Sequence, residues 1–251
     1  MEAEIIKAVL PKNKSFTRQE ICEIAETVDT EFNETLLRNM LEKLLKNGDI
    51  VRVAQNRYIR NDGVKKKQIY ENRYSEEAEK IITEMKRKYP LLDFRVWELR
   101  WLNEFWNHQI AMNKIFLEVE KMGCDFVYAE LGGKYQGRML LKPNEDELYR
   151  YGGNNTIVIE RLVSEAPKGV PERYNTPLEK IIVDLFANQK LRSMTHTGEY
   201  AAAISDMFEK YGIDQSKMFR YANRRNKKQE LFRFLKQKTN IEVQVGVNNH
   251  A

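Results

Sequence analysis

The sequence predicts an α/β protein of two domains, a winged helix-turn-helix over residues 1–61 and a larger mixed-sheet α/β domain over residues 75–240 with a C-terminal helical bundle. Three observations predict this class. In the first sixty residues apolar positions recur at helical spacing and then alternate as in a β-hairpin. Candidate strands and helices alternate through the middle of the chain, and only helical periodicity follows Pro177. A chain of 251 residues is also long enough to form two hydrophobic cores.

Composition is typical of a globular protein and excludes several classes. Hydrophobic residues make up 42% and charged residues 31% of the chain, and no apolar run approaches the ~18 residues of a membrane span. The acidic start lacks the apolar core of a signal peptide. Cys22 and Cys124 have no metal-ligand spacing and are expected to be small buried hydrophobes. We therefore expect a reducing, cytoplasmic location and no membrane partner.

The first sixty residues contain the elements of a winged helix in order. Residues 4–10 have helical spacing and precede a proline. Thr17 and, three residues later, Glu20 form a capping-box pattern, which predicts that a second helix begins at Thr17. A third helix is predicted by four apolar residues at i, i+3, i+4, i+7 spacing within residues 37–44, and Gly48 is its expected end.

A basic β-hairpin is predicted over residues 49–60, where apolar and polar residues alternate on both sides of Gln55-Asn56. This hairpin would be the wing, and the third helix would present its polar face to the major groove of DNA. The residues predicted to contact DNA are Thr35, Arg38, Asn39, Lys46, Arg52, Arg57 and Arg60. Glu31 and Glu34 oppose this interpretation because they repel phosphates, but the order of the elements outweighs them. A winged helix that contacts only proteins remains an alternative.

The larger domain follows a polar linker over residues 61–75. Ser75 is expected to cap an amphipathic helix that ends at Pro90. The predicted strands are LLDFRVWEL, KIFLEVE, RMLLKP and NTIVIERLV, and the predicted helices between them are WLNEFWNHQIAM and DELYRY. Four helices after Pro177 are expected to pack as a bundle against the sheet, and the tail from residue 241 to be a last strand or disordered. These helices carry a second basic surface, formed by Arg220, Arg224, Arg225, Lys227 and Lys228.

Several segments of the larger domain carry a family resemblance. They are VWELRWLNEF, KIFLEVEK and the helical block TPLEKIIVDLFA, EYAAAISDMFEKY and FRYANRRN. In that block an apolar helix ends with Asp184, and a later helix has Tyr221 before Arg224 and Arg225. Together with the winged-helix pattern, these segments resemble the AbiEi-type antitoxins of bacterial abortive-infection (type IV) toxin–antitoxin systems. The strand-rich middle, residues 92–165, is longer than in the most familiar members of that family.

The resemblance implies a transcriptional autorepressor whose winged helix binds repeats upstream of its own operon. It also implies that the C-terminal domain is required to counter a nucleotidyltransferase-like toxin, usually without a stable complex between the two proteins. The partners expected from the resemblance are double-stranded operator DNA and, through a functional link, that toxin.

The residues predict no catalytic site, and neither a metal nor a cofactor is expected. A metal-dependent nuclease would need acidic residues on two strands and a lysine at acid-x-lysine spacing. The residues that come nearest to this set are Asp93, Glu98, Glu118, Glu120 and Lys121. The lysine directly follows Glu120 and lies three residues after Glu118, so we prefer a solvated strand edge or a structural ion pair. A nuclease-like enzyme and a module that binds a toxin directly remain alternative functions.

Three other features receive structural interpretations. His108 and His196 have no partner at metal-ligand spacing, so neither is expected to bind a metal. The Leu-Gly-Gly-Lys segment over residues 131–134 lacks the frame of a phosphate-binding loop and is expected to be a turn. The three tryptophans are expected to pack in the core or between domains rather than to stack on bases: Trp97, Trp101 and Trp106.

Overall fold

The computed structural model describes residues 9–11, 14–28, 34–54, 56–60 and 67–243. They form a mixed α/β structure with two sheets, as the sequence predicts. The chain divides into two compact units. The first comprises Met1–Gln68 with Asp214–Ser216 and Glu242–Ala251, and the second comprises Ile69–Ile213 and Lys217–Ile241. Within the described ranges no helix is both long and apolar enough to cross a membrane.

The first unit has two helices and a small antiparallel sheet in its described part. Its elements are β1 (Ser15–Thr17), α1 (Arg18–Val28), α2 (Glu34–Asn47), β2 (Ile50–Ala54) and β3 (Arg57–Arg60). The strand order is β1-β3-β2, so β3 pairs with both neighbours. The two helices and the hairpin occur in the segments where the sequence predicts them. The sequence does not predict β1, because three residues are too few to show alternation. The helix predicted over residues 4–10 lies outside the described residues except at its last two positions.

Apolar residues of α1 meet the apolar stripe predicted on α2 in the core of the first unit. Ile21 and Ala25 of α1 are buried there, together with all four residues of the predicted α2 stripe. The predicted capping box fixes the start of α1. Thr17 Oγ1 accepts a hydrogen bond from the Glu20 N–H at 3.2 Å, and Glu20 Oε2 accepts one from the Thr17 N–H at 2.6 Å. The hairpin turns at Asn56, which adopts a positive φ of 55°.

The second unit is built on a four-stranded mixed sheet. Its first elements are α3 (Glu76–Lys88), β4 (Phe94–Glu98), a 3-10 helix (Leu99–Glu104), β5 (Lys114–Val119), α4 (Cys124–Gly132), β6 (Met139–Leu141), α5 (Glu145–Tyr151) and β7 (Thr156–Arg161). The last are α6 (Leu178–Ala187), α7 (Gln189–Met194), a 3-10 turn (Thr197–Glu199), α8 (Tyr200–Lys210), α9 (Gln215–Arg224) and α10 (Lys228–Lys238). The strand order is β4-β5-β7-β6, with β4 antiparallel to β5 and the other pairs parallel.

The two faces of this sheet differ in chemistry. One face packs against α3 and α4 and presents Ile115, Leu117, Val119, Ile157 and Ile159 to an apolar core. The opposite face carries the alternate residues of the same strands, among them three charged ones: Lys114, Glu118 and Glu160. A buried charge needs partners. Lys114 Nζ donates hydrogen bonds to the carbonyls of Gly152 and Gly153, and each glutamate pairs with a lysine from a covering helix. The three tryptophans are buried in this unit, as the sequence predicts.

One predicted helix, over residues 101–112, is wrong beyond its first turn. The 3-10 helix ends at Glu104, and an irregular loop follows. Asn103 closes this loop, because its Oδ1 accepts a hydrogen bond from the Ile110 N–H at 2.7 Å and its Nδ2 donates to the Ile110 carbonyl at 3.2 Å. The side chain of Gln109 donates to two further carbonyls in the same loop. Such side-chain hydrogen bonds compete with the helical ladder.

Two helices of the second unit, α4 and α7, are not predicted by the sequence. In α4 Phe126 is exposed while Val127 is buried. Because apolar residues lie on both the buried and the exposed side of this helix, its sequence shows no clear helical periodicity. The turn predicted over residues 131–134 is the end of this helix and the bend after it. Helix α7 follows α6 almost directly, and Asn188 caps it by accepting a hydrogen bond from the Lys190 N–H at 3.1 Å. The tail from residue 244 lies outside the described residues.

Candidate nucleic-acid interface

The α2 residues predicted to contact DNA lie on the exposed side of that helix. The buried stripe of α2 faces the core, so Thr35, Arg38, Asn39 and Lys46 are exposed. The side chain of Arg38 is 75% exposed, and its Nε lies 3.6 Å from a carboxylate oxygen of Glu42. An exposed ion pair at this spacing contributes at most about 1 kcal/mol and exchanges readily. The Arg38 guanidinium can therefore leave this carboxylate for a ligand.

The three arginines of the hairpin differ in accessibility. Arg52 and Arg57 are exposed, and Arg57 Nη1 donates a hydrogen bond to Ser15 Oγ at 3.0 Å. Arg60 is half-buried, and its Nη1 donates to the Leu10 carbonyl at 3.1 Å. Arg60 is thus part of the packing of the first unit, whereas Arg52 and Arg57 are the hairpin arginines best placed to contact a phosphate.

Charge is unevenly distributed along the first unit. Residues 35–67 contain nine basic and three acidic residues, whereas residues 1–34 contain four basic and eight acidic ones. On α1 the exposed positions include three glutamates: Glu20, Glu23 and Glu26. Six of the nine basic residues lie on α2 and the hairpin, and the other three are Lys65, Lys66 and Lys67 of the linker. Glu31 and Glu34, the residues that oppose DNA binding, lie outside the residues whose side chains are described.

The arginines of the second predicted basic surface point in different directions, because they occupy different positions around helix α9. Arg220 and Arg224 are exposed, and Arg224 Nε donates a hydrogen bond to Ser164 Oγ at 2.7 Å. The next residue, Arg225, turns inward and donates to Asp184 Oδ1 at 2.7 Å. Two adjacent arginines of one motif therefore have different roles, one facing solvent and one inside the fold.

The two lysines predicted with these arginines are less available. Lys227 Nζ lies 2.6 Å from Glu230 Oε2, and Lys228 is half-buried. Sequence reasoning missed exposed basic residues further along α10, among them Arg233 and Lys236. Their helical spacing from the buried Leu231 and Leu235 is the signal that places them on the outer face.

A buried charge network connects β5, α6 and α9. Its members are Glu118, Lys180, Asp184, Tyr221 and Arg225. Lys180 Nζ is completely buried and donates hydrogen bonds to Glu118 Oε1 at 2.5 Å and to Asp184 Oδ2 at 2.6 Å. The other oxygen of Asp184 accepts hydrogen bonds from the Tyr221 hydroxyl at 3.0 Å and from Arg225. Two carboxylates are thus balanced by two cations.

The pKa values in this network follow from burial and from the neighbouring charges. Burial raises the pKa of the Glu118 carboxyl, and the ammonium of Lys180 only partly offsets this effect. Burial alone would lower the pKa of Lys180, but the carboxylates of Asp184 and Glu118 outweigh it and raise that pKa. Lys180 therefore remains protonated. Strongly perturbed groups often mark functional sites, but each group here is engaged with another member of the network.

The residues considered for a nuclease site do not form one cluster. Asp93 pairs with Arg95, whose Nη1 lies 2.8 Å from the Asp93 carboxylate. Glu98 is buried and accepts a hydrogen bond from Asn113 Nδ2 at 2.7 Å. The pairing of Glu118 with Lys180 is the structural ion pair that the sequence favours. In the residues that the structure describes, no group of three or more His, Cys, Asp and Glu side chains is arranged to hold a metal ion.

Two further residues of that set lie beyond the strand. Glu120 and Lys121 are exposed in the turn after β5, which ends at Val119. Strand alternation would place Glu118 and Glu120 on one face, but the strand ends before it reaches Glu120. Neither side chain adds to a common acidic site.

The histidines His108 and His196 meet at the surface of the second unit, with ring centroids 4.7 Å apart. Glu199 holds the loop that carries His108. Its carboxylate accepts hydrogen bonds from the His108 ring and from the Asn107 N–H, the latter at 2.7 Å. The sequence does not predict this meeting, because only the tertiary fold brings these segments together.

Comparisons with known proteins give one family. A sequence model described as a family of unknown function (DUF6577) matches residues 36–241. The match begins within α2 and ends just after α10, so it includes the hairpin and nearly all of the second unit. Comparison with curated proteins gives no match.

Proposed function

The chain belongs to the DUF6577 family, whose function is unknown, and we propose that it is a DNA-binding transcriptional regulator. The observation that carries the proposal is the exposed basic surface formed by α2 and the β2–β3 hairpin. A capped helix, a second helix and a basic hairpin follow one another in the order of a winged helix-turn-helix. In such modules the second helix enters the major groove of DNA.

The exposed side chains suit separate parts of a DNA duplex. On α2, an arginine such as Arg38 can bind guanine through two hydrogen bonds, and an amide such as Asn39 can bind adenine in the same way. On the hairpin, Arg52 and Arg57 suit phosphates, which position a protein without reading sequence. The glutamates of α1 are exposed on a different element, so they need not approach the backbone.

The finer part of the proposal concerns the target and the second unit. We assign the chain's own operator as the target, an antitoxin role against a nucleotidyltransferase-like toxin, and action in the cytoplasm. This part is supported by the resemblance to AbiEi-type antitoxins. Growth of cells that co-express the chain and the product of a neighbouring toxin gene tests the antitoxin role. Rescue by the full chain is expected, and growth arrest despite full expression would contradict it.

Fluorescence anisotropy tests the DNA-binding proposal. The full chain is titrated against labelled DNA from its own upstream region and against scrambled DNA at several salt concentrations. The test variant is Arg38→Gln/Arg52→Gln. The matched control is Lys121→Gln/Arg173→Gln, which removes the same charge from exposed positions of the second unit. Each lost phosphate contact should reduce the slope of log affinity against log salt by about 0.9.

The proposal predicts tighter binding to the upstream DNA than to scrambled DNA. This preference for the upstream sequence should be lost in the test variant and kept in the control. Equal binding to both DNAs would refute a specific regulator. Equal losses in the test and control variants would show that net charge alone is responsible.

A protein-binding role for the first unit is the second candidate, and exposed apolar side chains favour it. Leu36 and Val51 are 45% and 49% exposed, and the centres of protein interfaces are formed by such residues. Co-purification with the product of a neighbouring gene that Leu36→Gln/Val51→Gln abolishes, and Arg38→Gln/Arg52→Gln leaves intact, would support this candidate.

A further inference from the structure

The net positive charge of the second unit comes from its last two helices. Residues 215–238 contain nine basic residues and one acidic residue, Glu230, whereas the whole chain has an excess of only five. The rest of the chain is therefore net negative. Such concentration on two consecutive helices creates a local positive field that an average over the chain conceals.

The structure separates internal from external cations in this segment. Arg225 is engaged by Asp184, and the single acidic residue accepts hydrogen bonds from Lys227 and from Arg192, each at 2.6 Å. Four of the exposed cations define what we call the α9–α10 basic surface: Arg220, Arg224, Arg233 and Lys236. Asp184 and Glu230 are therefore already paired with cations.

Neutral groups hold the side chains of the α9–α10 basic surface. Arg224 Nε donates a hydrogen bond to the Ser164 hydroxyl. Arg233 Nε donates to the Gln229 carbonyl at 3.4 Å, and Lys236 Nζ lies 5.1 Å from the centre of the Phe232 ring. That ring packs edge-on against Phe219, with centroids 6.4 Å apart. The aromatic contact under Lys236 therefore joins α9 to α10.

The surface lacks the features of a protein interface and of a single-strand binding site. The large apolar side chains of α9 and α10 are buried or only partly exposed. Protein interfaces depend on apolar and aromatic anchors at their centre, and single-strand binding proteins on exposed aromatic rings that stack with bases. Exposed arginine and lysine without such groups suit the phosphates of a duplex, where contacts are electrostatic and independent of sequence.

We propose that the α9–α10 basic surface binds the phosphodiester backbone of duplex nucleic acid. This site lies on the second unit and does not require the proposed DNA contacts of α2 and the hairpin. It recognises phosphates rather than bases, so duplex DNA and duplex RNA share the chemistry that it binds.

The experiment uses the full chain with Arg38→Gln/Arg52→Gln as the parent, so that the proposed contacts of the first unit are already removed. Anisotropy measures its binding to a random-sequence DNA duplex and to an RNA duplex of equal length. The test variant adds Arg220→Gln, Arg233→Gln and Lys236→Gln. The matched control adds Lys121→Gln, Lys168→Gln and Arg173→Gln, which are also exposed positions of the second unit.

The test variant should bind about 10- to 100-fold more weakly than the parent near 0.1 M salt, with a salt slope smaller by about 2 to 3. The control should match the parent. If the triple variant is misfolded, Arg220→Gln alone should still reduce the slope by about 0.9.

Loss of affinity for both duplexes supports a backbone site, and loss for only one supports it and identifies the source of the phosphates. A parent that binds neither duplex, an unchanged test variant, or an equal loss in the control overturns the proposal. The operator-binding test is separate, because it uses the chain without substitutions and its upstream DNA. Its failure would contradict the proposed function and leave this proposal to be decided by the random-sequence duplexes.

Discussion

Replacement of Lys180 by methionine should destabilise the second unit strongly. Lys180 Nζ is completely buried and contacts the carboxylates of Glu118 and Asp184 at 2.5 and 2.6 Å. Methionine fills a similar volume but carries no charge, so Glu118 would keep only the Trp97 Nε1 donor, at 3.2 Å. Removal of one partner from a buried ion pair costs about 3–5 kcal/mol, because an uncompensated charge remains in the interior.

Urea unfolding, monitored by tryptophan fluorescence, measures this loss of stability in the second unit alone, because all three tryptophans belong to it. With a slope of about 2 kcal/mol per molar urea, the midpoint should fall by about 1.5–2.5 M. The control is Lys190→Met. The Lys190 side chain is 18% exposed, and its ammonium pairs with one carboxylate, that of Glu160. It should lower the midpoint much less.

The double variant Lys180→Met/Glu118→Gln separates charge from packing. If the unpaired carboxylate causes the loss, its replacement by a neutral amide should restore part of the stability. Burial already raises the pKa of Glu118, and the loss of Lys180 would raise it further. Protonation then favours the folded state, so Lys180→Met should lose less stability near pH 4 than at pH 7. A midpoint no lower than that of Lys190→Met, or no recovery in the double variant, would refute this reasoning.

Three other predictions concern single elements. Thr17→Ala should lower the stability of the first unit by about 0.5–2 kcal/mol, measured by hydrogen exchange of the α1 amides, because the side-chain half of the capping box is lost. Gly123→Ala should destabilise by about 1–3 kcal/mol, because a Cβ there would lie 2.8 Å from a leucine methyl group; Gly132→Ala, with no atom within 4 Å of its Cβ, should be neutral or stabilising in the same urea assay. Hydrogen bonds from Lys134 and an arginine hold the pKa of Glu84 at about 2. Its contribution to stability is present above the ordinary value near 4 and is lost as the pH falls toward 2, and a carboxyl resonance that titrates near 4 would contradict this.

Local sequence signals predicted those parts of the fold that local chemistry determines. The capping box at Thr17 and the hairpin turn at Asn56 depend on residues close in sequence, and both occur as predicted. The helix predicted after Trp101 failed because Asn103 and Gln109 bond to the backbone of their own loop. Periodicity does not show that such polar side chains compete with the helix.

The candidate sites show the same division between local and tertiary information. Sequence composition locates a basic segment in the C-terminal helices, but only the phase of α9 shows that Arg224 faces solvent while Arg225 faces Asp184. The spacing of Lys180 and Asp184 places them on one side of α6, yet it cannot identify Glu118 as their partner on a distant strand. Charged partners that are distant in sequence can therefore be identified only from the three-dimensional structure.

The charged face of the sheet favours one packing position for helices α6 and α7. The parallel register of β5 and β7 places Glu118 beside Glu160, and each glutamate has its own lysine, Lys180 on α6 and Lys190 on α7. A shifted or rotated packing of these helices would leave at least one charge buried without a partner, at a cost of several kcal/mol. Replacement of the pairs by apolar residues could leave net stability unchanged, because desolvation offsets most of the attraction. Their contribution is therefore to select one arrangement of α6 and α7, and with it the outward orientation of the α9–α10 basic surface, which adjoins the same network through Arg225.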